Sequence, residues 1–166
     1  MRCADKILSP ETLPKWRKQL RENGRRLVVT NGCFDLLHVG HVTYLEAARN
    51  QGDALLVGVN SDDMVRELKG AGRPVNSEAQ RALVIAALQS VDGVYIFRER
   101  DAVSFLEAVQ PDIYAKGGDY SLDTINQRER DVLQRLGAQI VLLAHVPGAS
   151  TSALLAKSLG SKSPCR

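Results

Sequence analysis

Two histidines, His38 and His41, are the residues whose types and spacing point most directly to chemistry. They lie between a β-like apolar run, 26–30, and a helix-like run, 42–49. Residues three apart face the same side of a helical turn, so the two imidazoles would point together. A helix start also offers unpaired N–H groups and the positive end of the helix dipole, which favour a bound phosphate. The pattern therefore predicts a site that grips a triphosphate.

The loop that joins the two runs supplies the nearest polar groups to these histidines. Asp35 is the nearest carboxylate, and it could hold metal-bound water, orient an imidazole or hydrogen-bond to the backbone of its own loop. Cys33 is interpreted as a small apolar filler, because nothing beside it marks a nucleophile. We expect the nucleotide to contact six residues of this loop: Asn31, Gly32, Cys33, Phe34, Asp35 and Gly40.

Cations and hydroxyls in later loops could hold the remaining phosphate oxygens. Lys69 lies in a glycine-rich basic loop, and we expect it to act in catalysis with His38 and His41. Arg73 and Arg81 are the candidates for binding the second substrate, because arginine offers a bidentate fork to phosphate. Two further loops add six candidates for nucleotide binding: Lys116, Gly118, Asp119, Ser150, Thr151 and Ser152.

Five β-like runs alternate with helix-like runs along the chain, at 27–30, 54–59, 93–97, 112–115 and 139–143. This alternation predicts a parallel sheet with helices on both faces, and right-handed crossovers make it doubly wound. The expected fold class is therefore α/β: a single-domain Rossmann-like sheet of about five parallel strands. In such a sheet ligands bind at the carboxyl ends of the strands, where the polar and glycine-rich loops lie.

Short segments are expected on either side of this domain. We expect a helical extension at 1–25, the α/β domain at 26–159 and a disordered tail at 160–166. An apolar stripe at Leu13, Trp16 and Leu20 predicts the helix of the extension, with its basic residues on a solvated face.

Composition excludes several classes of protein. Among the 166 residues, 44% are hydrophobic and 25% charged, which is ordinary for a soluble globular domain. No run has membrane-spanning length and no signal peptide is visible, so we expect a cytoplasmic protein without a membrane partner. A net charge of +3 is too small to indicate nucleic acid. The three cysteines are far apart, so neither a zinc site nor a disulfide framework is predicted.

These residues favour direct displacement at phosphorus. There is no GxxxxGK[ST], no GxGxxG after the first strand and no constellation typical of covalent catalysis. In-line displacement requires mainly positioning and charge neutralisation. We therefore expect a phosphate oxygen to attack the α-phosphorus of a nucleoside triphosphate and to release pyrophosphate, with Mg²⁺ balancing the triphosphate charge.

The segment FDLLHVGH at 34–41 resembles the HxGH signature of the cytidylyltransferase-like nucleotidyltransferases. Within that superfamily the chain is most similar to the D-glycero-β-D-manno-heptose 1-phosphate adenylyltransferase (ADP-heptose synthase) domain. This similarity rests on TNGCFDLLH, VNSD, LKG followed by RPV, KGGDY and PG before STS. It implies that ATP and heptose 1-phosphate give ADP-heptose and pyrophosphate, for lipopolysaccharide core or surface-layer glycan assembly.

The resemblance also implies roles and partners. It assigns nucleotide binding to the HxGH histidines, to the lysine of LKG and to the late Ser/Thr segment, 150–152. Many relatives fuse this domain behind a sugar kinase, so a separate kinase is expected to supply the sugar 1-phosphate. A homodimer is plausible, because two-fold pairs are the commonest assembly.

Two alternatives remain open. One is a cytidylyltransferase for glycerol or another polyol phosphate, although that branch carries an RTEGIST-like segment and 146–152 lacks its arginine. The other is a non-catalytic nucleotide-binding sensor, against which the presence of His38, His41 and Lys69 argues.

Overall fold

The computed structural model describes residues 2–117, 121–144, 151, 154 and 155. Within them one sheet contains six parallel strands: β1 (Ile7–Leu8), β2 (Leu27–Gly32), β3 (Ala54–Asn60), β4 (Gly93–Phe97), β5 (Ile113–Gly117) and β6 (Gln139–Leu143). The strand order is β1-β4-β3-β2-β5-β6. The predicted α/β class and parallel sheet are confirmed. The chain proceeds outward from β2 to β4 and then returns beside β2, so the topological switch point lies between β2 and β5.

The described part of the chain has six α-helices between these strands: α1 (Leu13–Glu22), α2 (Val39–Arg49), α3 (Asp62–Lys69), α4 (Glu78–Ala86), α5 (Val103–Val109) and α6 (Gln127–Leu136). Two short 3₁₀ turns occur at Cys3–Lys6 and Leu122–Thr124. Ser61 and Ser77 cap α3 and α4, each accepting a hydrogen bond from the N–H three residues later. No helix of the described part of the chain is long and apolar enough to cross a membrane.

The sheet separates two apolar clusters, which define two faces. On the α2 face, helices α2 and α4 cover inward side chains such as Leu45, Val57 and Ile85. On the α6 face, helices α1, α5 and α6 cover others, such as Phe105 and Leu133. All seven residues of β3 are buried, as expected for a central parallel strand. Helices on both faces confirm the doubly wound arrangement.

The first 25 residues contain a helix and also an edge strand. The stripe predicted for α1 packs inward, with Leu13 and Leu20 buried and Trp16 partly buried. Strand β1 was not predicted, because two residues are too short to show a period; its Ile7 pairs with Val94 of β4. The prediction that the basic residues of α1 are solvated is wrong for Arg17. Its guanidinium is buried and donates to the carbonyl of Val109 and the carboxylate of Asp112, among others. The tail at 160–166 lies outside the described residues.

Candidate active site

A cavity of about 720 Å³ opens at the carboxyl ends of the strands, beside the switch point. The strand ends that line it include Asn31 of β2, Asn60 of β3, Phe97 of β4 and Lys116 of β5. Many of the predicted site residues also line it: Gly32, Cys33, Phe34, Asp35, His38, Gly40, His41, Lys69, Arg73 and Thr151. The topology therefore brings together loops that are far apart in sequence.

The two histidines form a stacked pair at the start of α2. His38 is the N-cap residue with extended backbone, and His41 lies in the first turn. Their ring centroids are 3.9 Å apart with an interplanar angle of 22°. The ring of Phe34 contacts His41 edge-on at a centroid distance of 5.4 Å. Side-chain packing thus holds both imidazoles beside the free N–H groups of a helix start.

His41 is held in its neutral form. Burial, together with a smaller contribution from the neighbouring His38, lowers the pKa of His41 to about 4. Its Nδ1 is buried and receives no hydrogen bond from the described residues. Nε2 is then the ring nitrogen that can reach a ligand. A neutral imidazole with its proton on Nε2 can donate a hydrogen bond to a phosphate oxygen at neutral pH.

Asp35 holds the loop that carries Arg73. Its carboxylate accepts hydrogen bonds from the N–H groups of Val75 and Asn76, and pairs with the Arg73 guanidinium at 2.5 Å. Burial alone would raise the pKa of Asp35, but these hydrogen bonds outweigh it and keep the pKa below its ordinary value. Of the alternatives considered for Asp35, the structure shows hydrogen bonds to backbone, but their donors lie in the loop that carries Arg73 and not in the loop of Asp35 itself. Arg73 remains at the cavity wall as a partly neutralised cation.

Arg81 does not lie where a substrate contact was predicted. Its side chain is 0% exposed, and it is absent from the cavity wall. The guanidinium donates to the carbonyls of Asn76, Cys33 and Asn60 and forms an ion pair with Asp62 at 2.8 Å. The prediction that Arg81 binds substrate is therefore corrected, because this arginine joins the histidine loop to the ends of β3 and α4. Its position near the start of an apolar helix gave no sign of such burial.

The mouth of the cavity carries cations that are more exposed. Lys69 is the last residue of α3, and the glycine that follows it has a φ of 90°, which turns the chain away from the helix. Arg100, which the sequence reading missed, also lines the cavity and pairs with Glu67 at 3.1 Å. Its position just after β4 was the available signal, since the carboxyl ends of parallel strands share one edge. Together they give the mouth a positive charge suited to a polyanion.

Polar residues line the cavity on the α6 face. The Lys116 ammonium donates to Asn31 Oδ1 at 2.8 Å and lies 5.0 Å from the centre of the Tyr114 ring. The Tyr114 hydroxyl lies 2.6 Å from the same Oδ1 and 2.9 Å from Glu129 Oε2. Burial lowers the pKa of Lys116, and the charge of Glu129 opposes that change. We call these four residues the α6-face network; Tyr114 and Glu129 were not among the predicted site residues.

Tyr44 is another residue of the cavity wall that sequence reasoning missed. Its hydroxyl donates to the Ala115 carbonyl at 3.0 Å and lies 2.6 Å from Thr30 Oγ1. Its ring packs so closely on Gly117 that a Cβ at that position would lie 2.5 Å from it. Glycine is thus required after Lys116 so that α2 can approach β5.

The late Ser/Thr segment is described only at Thr151. Its hydroxyl donates to the Leu36 carbonyl at 3.2 Å, which places Thr151 against the histidine loop. Four predicted site residues lie outside the described part of the chain: Gly118, Asp119, Ser150 and Ser152.

Comparison with known proteins agrees with this arrangement. A family model described as cytidylyltransferase-like matches residues 29–155, which include the whole histidine loop. The chain belongs to the cytidylyltransferase-like family. Membership makes it a nucleotidyltransferase, as the resemblance of the HxGH segment implied.

Curated relatives of this cytidylyltransferase-like chain include bifunctional proteins named HldE. The protein from Methylobacillus flagellatus is 47% identical over 93% of the chain, and that from Mesorhizobium japonicum is 46% identical over 92%. The chain spans only about a third of their length, at 31% and 30% respectively.

Solved structures show the same fold. A lipopolysaccharide core biosynthesis protein from Thermoplasma volcanium has a TM-score of 0.62 and 29% identity, covering 74% of this chain and 98% of its own. A pantoate–β-alanine ligase from Francisella tularensis has a TM-score of 0.60, covering 83% of this chain and 66% of its own. At 12% identity the ligase supports the fold alone.

Proposed function

We propose that this nucleotidyltransferase transfers the adenylyl group of ATP to D-glycero-β-D-manno-heptose 1-phosphate, giving ADP-heptose and pyrophosphate. The observation that carries the chemistry is the stacked His38–His41 pair at the start of α2, inside a cavity whose mouth carries Lys69 and Arg100. A neutral His41 in the same cavity as exposed cations suits a reaction in which negative charge is redistributed over phosphate oxygens.

The reaction would proceed by in-line displacement. A phosphate oxygen of the sugar 1-phosphate attacks the α-phosphorus and forms a new P–O bond. The bond from the α-phosphorus to the oxygen that bridges it to the β-phosphorus breaks, and that oxygen leaves with pyrophosphate. His41 donates a hydrogen bond to the α-phosphate or the leaving group, while Lys69 and the N-terminus of α2 hold the remaining charge.

Mg²⁺ is expected to enter with ATP, because it binds phosphate oxygens and water readily and needs few protein ligands. The described residues contain no group of three or more His, Cys, Asp or Glu side chains that could hold a metal. Asp35 is engaged by Arg73 and two backbone N–H groups. The ion supplies charge neutralisation when it is bound with the triphosphate.

The assignment of a heptose phosphate as the acceptor depends on similarity to other proteins. The chain is 44–48% identical to the HldE proteins over most of its length, and a solved neighbour is named for lipopolysaccharide core biosynthesis. The segments TNGCFDLLH, LKG and KGGDY point to the same heptose branch. These similarities support a heptose phosphate over a polyol phosphate as the acceptor.

The test is pyrophosphate release with ATP, CTP, GTP and UTP, each offered with heptose 1-phosphate, glycerol 3-phosphate, flavin mononucleotide or buffer. We expect release with ATP and heptose 1-phosphate only. Release with CTP and glycerol 3-phosphate would replace this proposal with the cytidylyltransferase alternative. No release from any pair, with ATP still bound in calorimetry, would contradict the heptose assignment and favour the sensor alternative.

A further inference from the structure

The α6-face network contains a buried carboxylate, Glu129, to which the proposed reaction gives no role. Glu129 is 7% exposed and lines the cavity. Its Oε1 accepts a hydrogen bond from the Ala102 N–H at 3.0 Å, and its Oε2 lies 2.9 Å from the Tyr114 hydroxyl. Both oxygens are therefore held. A buried carboxylate is costly unless it compensates a positive charge or receives hydrogen bonds, and this one is placed to do both.

The positive charge is the ammonium of Lys116, two side chains away. Asn31 Oδ1 lies 2.6 Å from the Tyr114 hydroxyl and accepts a hydrogen bond from Lys116 Nζ at 2.8 Å. Glu129, Tyr114 and Asn31 thus form a continuous chain of contacts that ends on the lysine. The four residues come from three elements, β2, β5 and α6, which meet at the carboxyl edge of the sheet.

We propose that Glu129 is a positioning residue, which acts through Tyr114 and Asn31 to keep the Lys116 ammonium charged and directed into the cavity for an anionic group of the nucleotide. The inference rests on the proposed function, because it takes the ligand of Lys116 to be a nucleoside triphosphate.

The surroundings of Lys116 make its charge sensitive to Glu129. Burial lowers the pKa of the ammonium, and the carboxylate of Glu129 on α6 raises it. Three uncharged side chains also lie beside Lys116: Tyr114 on β5 itself, Asn31 on β2, and Leu142, which is paired with Lys116 on β6. Removal of the Glu129 charge should therefore lower the pKa of Lys116 further, and the ammonium should lose its proton at a lower pH.

The direct test compares Glu129→Gln with Asp131→Asn. Both substitutions remove one negative charge from α6, but Asp131 is exposed and bonded to Gln127. NMR titration of isotope-labelled lysines, with Lys116 assigned by the loss of its signal in Lys116→Arg, needs neither substrate nor turnover. We expect a lower Lys116 pKa in Glu129→Gln and the wild-type value in Asp131→Asn. An unchanged Lys116 pKa in Glu129→Gln would overturn the proposal.

A second variant covers the case in which Glu129→Gln does not fold. Tyr114→Phe removes the hydroxyl that joins Glu129 to Asn31 and leaves both charges in place. We expect the Lys116 pKa to fall in this variant too, by less than in Glu129→Gln. A Lys116 pKa equal to that of the wild type would show that the Tyr114 hydroxyl does not connect the two charges.

The consequence for binding is measured by calorimetry with ATP. Glu129→Gln should weaken ATP binding on the order of tenfold, the scale of a hydrogen bond to a charged group. In a Lys116→Met background the same substitution should have no further effect. Equal weakening in both backgrounds would show a merely structural role and overturn the proposal.

Steady-state kinetics distinguish a failure of this inference from a failure of the proposed function. If the wild type converts ATP and heptose 1-phosphate, Glu129→Gln should raise KM for ATP more than KM for the sugar, and its alkaline loss of kcat/KM should begin at a lower pH. A rise in the sugar's KM alone would contradict the nucleotide assignment of Lys116. If the wild type binds ATP but converts no sugar phosphate, the proposed function fails, and the NMR and calorimetric results still decide the role of Glu129.

Discussion

The two ends of the cavity are built in opposite ways. The α2-face end is made chiefly from one stretch of chain, in which His38 and His41 stack at the start of a helix. The α6-face end is assembled from three elements, and the hydrogen bond from Lys116 to Asn31 joins residues 85 positions apart. The first end could be interpreted from a short segment of sequence. The second could not, because its partners are neighbours only in the folded sheet.

The two ends also differ in how their charges are balanced. At the α2-face end, a neutral His41 stacks on His38 in a cavity that exposed Lys69 also lines. At the α6-face end, a buried ammonium is near a buried carboxylate. Exposed cations can exchange water for phosphate at little cost, whereas a buried charge must be compensated within the protein. We therefore assign charge stabilisation in the transition state to the first end and positioning to the second.

The largest effect is expected from His41→Ala. Loss of one transition-state donor typically costs about 10²–10³ in rate, and kcat should fall by that order while circular dichroism stays native. Glu46→Ala, an exposed residue of the same helix, is the matched control and should keep wild-type turnover. A folded His41→Ala enzyme with wild-type kcat would refute the role of the pair. If Glu129→Gln lowered kcat as much as His41→Ala does, the two ends of the cavity would not differ in their contribution to the transition state.

Arg81→Met should produce the largest loss of stability at the α2-face end. The substitution leaves Asp62 and three carbonyl groups without their buried donor, and breaking such a pair costs about 3–5 kcal/mol. Arg66→Ala removes an exposed ion pair with Asp63 and should cost less than about 1 kcal/mol. Urea unfolding measures both. Equal free energies of unfolding for the two variants would show that Arg81 does not hold the histidine loop.

The lowered pKa of His41 predicts how stability depends on pH. Its pKa falls from 6.5 to about 4 on folding, so the unfolded chain binds more protons between these values. Stability should therefore decrease as the pH falls from 6.5 towards 4, and this contribution should be constant below both values. Urea midpoints across this range, compared with His41→Asn, isolate the effect. A variant whose midpoint declines as steeply as that of the wild type would contradict the assigned pKa.

The smallest effect concerns Arg100 at the mouth. Arg100→Ala removes an exposed ion pair with Glu67 and should change the free energy of unfolding by less than about 1 kcal/mol. If Arg100 contacts phosphate, KM for ATP should rise several-fold at low salt and less at high salt, because salt screens exposed charges. Arg98→Ala is the control, since Arg98 pairs with Glu78 and does not line the cavity. A KM that does not change in Arg100→Ala would exclude such a contact.

Much of the fold followed from local pattern. The five predicted strands correspond to β2–β6, and α3 and α4 each begin after a serine whose hydroxyl accepts a hydrogen bond from a backbone N–H of the first turn. These features depend on residues close together in the chain: an apolar run for a buried strand, a hydroxyl for the first free N–H groups of a helix. Strand β1 was missed because its two residues gain their structure from pairing with β4.

The sequence by itself determined the α/β class, the carboxyl edge of the sheet as the candidate site and the histidine pair at a helix start. The tertiary structure decided which charges pair with which. It buried Arg17 and Arg81 within the protein, bound Asp35 to Arg73 and placed Glu129 behind Lys116. A side chain's type and periodicity indicate its local backbone, but its charge is compensated by whichever groups the crossovers bring beside it. Those groups belong to distant segments, so their pairing could be determined only from the folded chain.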